Sequence, residues 1–125
     1  MKIYLLILSF ILLFSCQQSN VDVPDYQNPE ALVTFIELGS DKCIPCLQMR
    51  PIMASLEEKY GTEQLKVIFI DVYKQYSEAQ KYNIMVIPSQ IFFDKNGKEF
   101  HRHEGFYPES EIDSLFQKQG LKIIN

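Results

Sequence analysis

Cys43 and Cys46, set two residues apart in Cys43-Ile44-Pro45-Cys46, form a pair whose type and spacing suit redox chemistry. A thiolate at one position attacks a disulfide, and a thiol one helical turn later resolves the mixed disulfide that results. The segment falls between an apolar run and a long helical pattern, so Cys43 stands at or just before a helix N-terminus. Unpaired backbone N–H groups and the positive end of the helix dipole favour a thiolate there. Cys43 is therefore the expected nucleophile and Cys46 the resolving thiol. Pro45 suits a first helical turn, where no N–H is needed, and Lys42 adds a cation partly offset by Asp41. The chain has 3 cysteines, so they cannot all pair within one molecule, and one has to be free, modified or bonded to a partner; Cys16, at the end of the N-terminal apolar run, stands apart from the other two.

Other readings of the same pair stay open at this point. A CxxC is half of many zinc sites, although there is no second CxxC here and the other soft ligands are His101 and His103, expected on the surface of one strand face. A structural disulfide suits an oxidising compartment, but closing so short a loop constrains the unfolded chain little. A dithiol could also carry Cu(I), a binding function rather than an enzymatic one.

The elements that must hold the pair are legible as alternating strand and helix. Residues 32–36 and 67–70 are compact β-branched and aromatic runs without alternation, as expected of parallel strands covered on both faces. Between them, residues 44–60 carry Met49, Ile52, Met53 and Leu56 at helical spacing, with Gly61 placed to end the helix. A shorter helix is expected over 76–82 and a third strand over 91–93. Asn96-Gly97 turns the chain into a fourth strand at 99–103. Pro108 and the acidic residues after it open a closing helix that runs to about residue 119. The order predicts an α/β fold with a mixed sheet flanked by helices.

The N-terminus reads as an address. Met1-Lys2 gives a positive start and residues 3–14 are apolar apart from Tyr4 and Ser9, the layout of a secretory signal peptide. That run is too short to span a bilayer well. It ends in Leu13-Phe14-Ser15-Cys16, which resembles the lipobox of bacterial lipoproteins. The resemblance implies a signal peptide over 1–15, cleavage before Cys16 and acylation of its thiol, with several acyl chains together giving durable anchoring. Residues 16–29 are then a lipidated N-terminus and polar tether, interrupted by Pro24 and Pro29. The folded domain is expected over 30–125. It would sit on the extracytoplasmic, periplasmic side of a membrane, held to the lipid bilayer through Cys16.

Composition supports one domain and removes some classes of function. The 125 residues are 46% hydrophobic and 13% aromatic, a globular balance of a size suited to a single core. A net charge of -4 with scattered Lys and Arg gives no basic field for nucleic acid.

Strand, CxPC and helix together resemble the thioredoxin family, and matching positions run from Ala31 through Gln119. Pro51 stands where the family has the proline of its active-site helix, and Ile87-Pro88 where it has a cis proline facing the dithiol. Glu37, six residues before Cys43, takes the place of the family's buried acid. The resemblance implies that Glu37 moves a proton to and from Cys46, with burial raising its pKa toward a useful range. Gly105 matches a glycine the family places near the site, a position that turn chemistry would explain equally well. The chain departs from the family at Lys42, where a tryptophan is usual, and contains no Trp. If Asp71 matches the acid ending the second strand, Val67 replaces the lysine that usually partners the buried acid. The family's N-terminal strand and helix look shortened or missing. The resemblance further implies a protein-disulfide oxidoreductase that needs no cofactor beyond its two sulfurs and acts on protein disulfide substrates. Proline in the motif and Ile87 before Pro88 look like the reducing members, with a membrane electron-transfer protein as reductant; a disulfide donor or isomerase is the alternative.

Overall fold

Residues 31–124 are described by a computed structural model. The apolar run after Leu32 forms β1 (Val33–Gly39), buried along its whole length. It starts one residue later than its composition suggests and continues three residues further, through Glu37, Leu38 and Gly39. Glu and Gly are poor strand formers, but β1 is an interior strand whose ladders to its two neighbours run on to Gly39 on one side and Leu38 on the other. α1 (Ile44–Tyr60) has the expected limits, ending at Gly61, whose φ of 72° suits glycine and whose N–H closes on Glu57 O at 2.9 Å.

β2 (Leu65–Asp71), α2 (Tyr76–Lys81), β3 (Ser89–Asp94), β4 (Glu99–Glu104) and α3 (Glu109–Lys118) follow in chain order. The sheet order is β2-β1-β3-β4, with β1 parallel to β2 and the other pairs antiparallel, so the sheet is mixed as expected. The turn between β3 and β4 is organised by Asp94, whose Oδ1 accepts from Asn96 N at 2.8 Å and Lys98 N at 3.0 Å. The expected signal peptide, the Cys16 tether and the shortening before Ala31 lie outside the described residues.

Alternation along β1 sends Val33 and Phe35 to one face, with Met49, Met53, Leu56 and Tyr60 of α1 and Ile112 and Phe116 of α3. Ile36 and Leu38 face the other way, toward Ile70, Ile91, Phe93 and Ala79 of α2. Phe35 stacks on Phe92 at 4.7 Å, and Phe116 meets both rings edge-on, at 6.4 and 5.8 Å. Each such fully buried side chain contributes roughly 1.5–3 kcal/mol. α1 and α3 are further joined by Lys59, which reaches Glu109 at 2.7 Å and Asp113 at 2.6 Å.

Candidate active site

The chain leaves the buried end of β1 at Gly39 and turns through Ser40, whose Oγ accepts from Lys42 N at 3.1 Å and whose carbonyl accepts from Cys43 N at 3.2 Å. Those two bonds set Cys43 down as the N-cap of α1, with extended backbone (φ -105°, ψ 114°). Its Sγ accepts the Cys46 N–H at 3.3 Å, so sulfur does what a Ser or Asp oxygen does at other helix starts. Pro45 lies in the first turn, where its missing N–H leaves nothing unpaired. Pro51 lies inside α1 and withholds the N–H that would otherwise pair with Leu47 O.

The two sulfurs are joined, with Cα atoms 5.2 Å apart. Cys43 is half-buried and Cys46 has 0% exposure, so an incoming group can reach the first sulfur and not the second. The rim around Cys43 is charged yet compensated. Asp41 pairs with Arg50 and with Lys74, and these cations, Lys74 first, hold its carboxyl below the usual carboxylate range. Asp41 is therefore a weak opponent of the thiolate, and exposed Lys42 keeps its full effect.

Beneath Cys46 the surroundings change. A Cβ added at Gly39 would lie 3.1 Å from Cys46 Cβ, 3.2 Å from Cys46 Sγ and 3.1 Å from Phe69 Cε2, so only glycine lets α1 settle this close to β1. Glu37 stands two residues back on the same face of β1, roughly 7 Å along the strand. It has 0% exposure, and neither carboxyl oxygen has a hydrogen-bond partner. Burial pushes its pKa up to about 8, while the Gln90 amide opposite pulls it down. Gln90 is the cross-strand partner of Glu37 in the β1–β3 ladder, but its Nε2 closes on Gly105 O at 3.1 Å rather than on the carboxyl. Beside Glu37 on β2 stand Val67 and Phe69, so no cation approaches from that side.

Pro88 is buried and enters β3 through a cis Ile87–Pro88 bond. The pairing of Leu38 with Ser89 sets this entry beside the end of β1 from which the cysteine loop departs. Gly105, at φ 89°, donates its N–H to Pro88 O at 2.7 Å. Its positive φ thus calls for glycine, although a Cβ built there would meet nothing within 4 Å. Next to this entry, a groove of about 500 Å³ is lined by Val72, Tyr73, Tyr76, Met85, Val86 and Ile87. Tyr73 and Met85 are 74% and 85% exposed, and Tyr73 also borders the hollow formed by Ser40, Asp41 and Lys42. The groove and the cysteine loop therefore meet at one side chain.

A thioredoxin family model matches residues 16–118. The chain belongs to the thioredoxin family. It is 32% identical over 86 residues to a thioredoxin of Bacillus subtilis, covering 69% of this chain and 81% of that one. It is 41% identical over 78 residues to the chloroplastic thioredoxin Y of rice, covering 62% of this chain and 45% of that protein's length. Among solved structures, a mutant thioredoxin of Halobacterium salinarum superposes with a TM-score of 0.67 at 20% identity, covering 79% of this chain and 83% of that one. The thioredoxin of Schistosoma mansoni superposes at 0.61 with 24% identity, over 71% and 80% of the two chains. The likeness of shape agrees with the α/β mixed sheet described above. The chain is thus a thioredoxin-type thiol–disulfide oxidoreductase.

Sequence reasoning placed Cys43, Cys46, Glu37 and Pro88 around one end of the sheet, and the described fold gathers them there. It did not single out Gly39 or Gln90. A glycine ending a buried strand just before the motif, and an amide inside the apolar run 91–93 and its flank, were the available signals. His101 and His103 depart from expectation. They share a strand face but are half-buried against Tyr107, with His103 stacked on its ring at 4.0 Å and His101 Nε2 3.0 Å from its hydroxyl. The aromatic ring between them covers what a solvated strand face would leave open. Among the described residues no group of three or more His, Cys, Asp or Glu could hold a metal ion.

Proposed function

We propose that this chain reduces disulfides in extracytoplasmic proteins, anchored to a membrane through a lipid on Cys16 and re-reduced by a membrane electron-transfer protein. The observation that carries the chemistry is the contrast between the two sulfurs: Cys43 reachable at a helix N-cap, Cys46 fully covered behind it. The Cys43 thiolate attacks one sulfur of the substrate disulfide, and the first substrate thiolate leaves. Glu37 accepts the Cys46 proton, and the Cys46 thiolate attacks Cys43 Sγ. The second substrate thiolate departs and is protonated from solvent, so two electrons have passed to the substrate and the Cys43–Cys46 disulfide has formed. The reductant returns two electrons and restores the dithiol.

The groove beside Ile87 suits an extended polypeptide with apolar side chains next to its disulfide, since Tyr73, Tyr76 and Met85 offer exposed carbon and ring surface. The cis bond to Pro88 sets the course of the chain from Ile87, at the groove's edge, into β3. The reducing direction rests on the resemblance of the motif and of Ile87-Pro88 to reducing members of the family.

The deciding measurement is the equilibrium potential of the Cys43–Cys46 pair against glutathione. A value well below that of the glutathione couple supports reduction, whereas a value near that of strong oxidants makes the chain a disulfide donor. Location is tested separately by fractionating cells that express Cys16→Ser. Release from membranes is the expected result, and tight retention would remove the lipid anchor from the reading.

A further inference from the structure

Three buried oxygens lie without a hydrogen-bond partner around one point of the β1–β3 ladder: both carboxyl oxygens of Glu37 and Oε1 of Gln90. The two residues are directly opposed in register, so their side chains share a face at cross-strand contact distance. Both have 0% exposure, which excludes bulk water as a partner. Such groups are normally paired, and a set of them left open is a place to look for a second state of the site.

We propose that Gln90 is the positioning residue for Glu37, a neutral donor whose amide closes on the carboxylate when Glu37 ionises and releases it when Glu37 takes up the Cys46 proton. This rests on the reading of Glu37 as the base for Cys46. The side-chain amide has two N–H groups, and one of them is held by Gly105 O at 3.1 Å. The other belongs to the side chain facing Glu37, whose pKa this amide lowers. A protonated carboxyl holds it only weakly, as a neutral acceptor. An ionised one, buried with Phe69 and Val67 on one side and α1 above, has no other donor in reach from the neighbouring strands. Opposite Glu37 in register stand Phe69 of β2 and Gln90 of β3, while Cys46 of α1 packs on Gly39 two residues along the same face. Arg50 lies over the Phe69 ring at 5.2 Å and is paired with Asp41.

The balance of the step is simple. Cys46 S–H and Glu37 carboxylate become Cys46 thiolate and Glu37 carboxylic acid, and the N–H of Gln90 is freed. The thiolate attacks Cys43 Sγ of the mixed disulfide, the substrate thiolate leaves, and Glu37 later returns its proton to water while the Gln90 N–H closes again. Gly105 fixes the amide throughout, and because Gly105 N also holds Pro88 O, the donor and the cis proline are joined through one glycine.

The test uses the reduced protein and the chromogenic aromatic disulfide 5,5'-dithiobis(2-nitrobenzoate). Cys43 attack releases one thionitrobenzoate, and Cys46 resolution releases the second, whose rate is followed against pH. With Gln90→Met, which keeps volume and removes the donor, the midpoint of the second phase is expected to rise by about one pH unit, with resolution about tenfold slower near pH 7. An unmoved midpoint in Gln90→Met, together with a lost pH dependence in Glu37→Gln, overturns the role of Gln90 and leaves Glu37 as the base. An unmoved profile in Glu37→Gln overturns the base itself. Should Gln90→Met fail to fold, NMR of the reduced wild-type protein decides. The Gln90 side-chain amide resonances are expected to shift with the titration of the Glu37 carboxyl, and resonances that stay still through it contradict the proposal.

Discussion

Cys43 looks outward onto a rim of charges already paired with one another, whereas Cys46 looks inward onto a floor of glycine, aromatic rings and one carboxyl without a partner. The difference follows from where each lies on the same turn of helix. Asp41, Arg50 and Lys74 are solvated, so their pairings are screened and each is replaceable at small cost. Glu37 and Gln90 are sealed under α1, where an unpaired polar atom is expensive and any change is felt. Selectivity between the two sulfurs is thus a matter of burial, and under the proposed function the hidden one works with groups that no substrate touches.

The comparison breaks most decisively at the sulfurs themselves. Cys43→Ser is expected to bring insulin reduction to background, while Cys46→Ser keeps the first attack and accumulates a mixed disulfide visible by mass spectrometry. If the two variants behaved alike, the division into outer nucleophile and inner resolving thiol would be wrong.

The next largest effect is expected at Glu37. Its folded pKa of about 8 lies above the unfolded value of 4.5, so the folded state binds the extra proton between them. Stability from this group is fully present below about pH 4.5 and is lost as pH rises toward 8. Glu37→Gln removes that loss, and is expected to stabilise the fold by about 2–3 kcal/mol at pH 7, shrinking toward zero near pH 4.5. Urea unfolding across this range checks it, and a gain that does not vary with pH would contradict the burial of an ionisable Glu37.

Gly39→Ala probes the floor in the opposite sense. The added methyl meets Cys46 and Phe69 at 3.1–3.2 Å, and the resulting overpacking is expected to cost about 1–3 kcal/mol. Thermal unfolding of the oxidised protein measures it, and an unchanged midpoint would mean that α1 can lift from β1 freely. The smallest effect belongs to the rim. Asp41→Asn removes one carboxylate from Arg50 and Lys74, leaving Lys74 paired with Asp71, and is expected to raise slightly the rate at which iodoacetamide alkylates Cys43 near pH 6, an increase that fades with added salt.

Much of this was readable from the chain. The CxPC spacing, the long amphipathic pattern of residues 44–60 and the continuous apolar runs gave the element order, because local periodicity reports which face of an element is covered. The dithiol was legible for the same reason: its chemistry sits within four consecutive residues. The extension of β1 through Glu37 and Gly39 was less so, since a ladder supplied by two neighbouring strands overrides the propensities of the residues within it.

Residue types and spacing by themselves singled out Cys43 and Cys46 as a candidate redox pair and placed Cys43 at the start of a helix. Only the tertiary structure decided what lies beneath them. Gln90 is distant from Glu37 in sequence and meets it through antiparallel register, and Gly39 matters because Cys46 packs on it. The same packing turns His101 and His103 from surface residues into partners of Tyr107. Burial and cross-strand opposition are properties of the assembled sheet, and no local pattern encodes them.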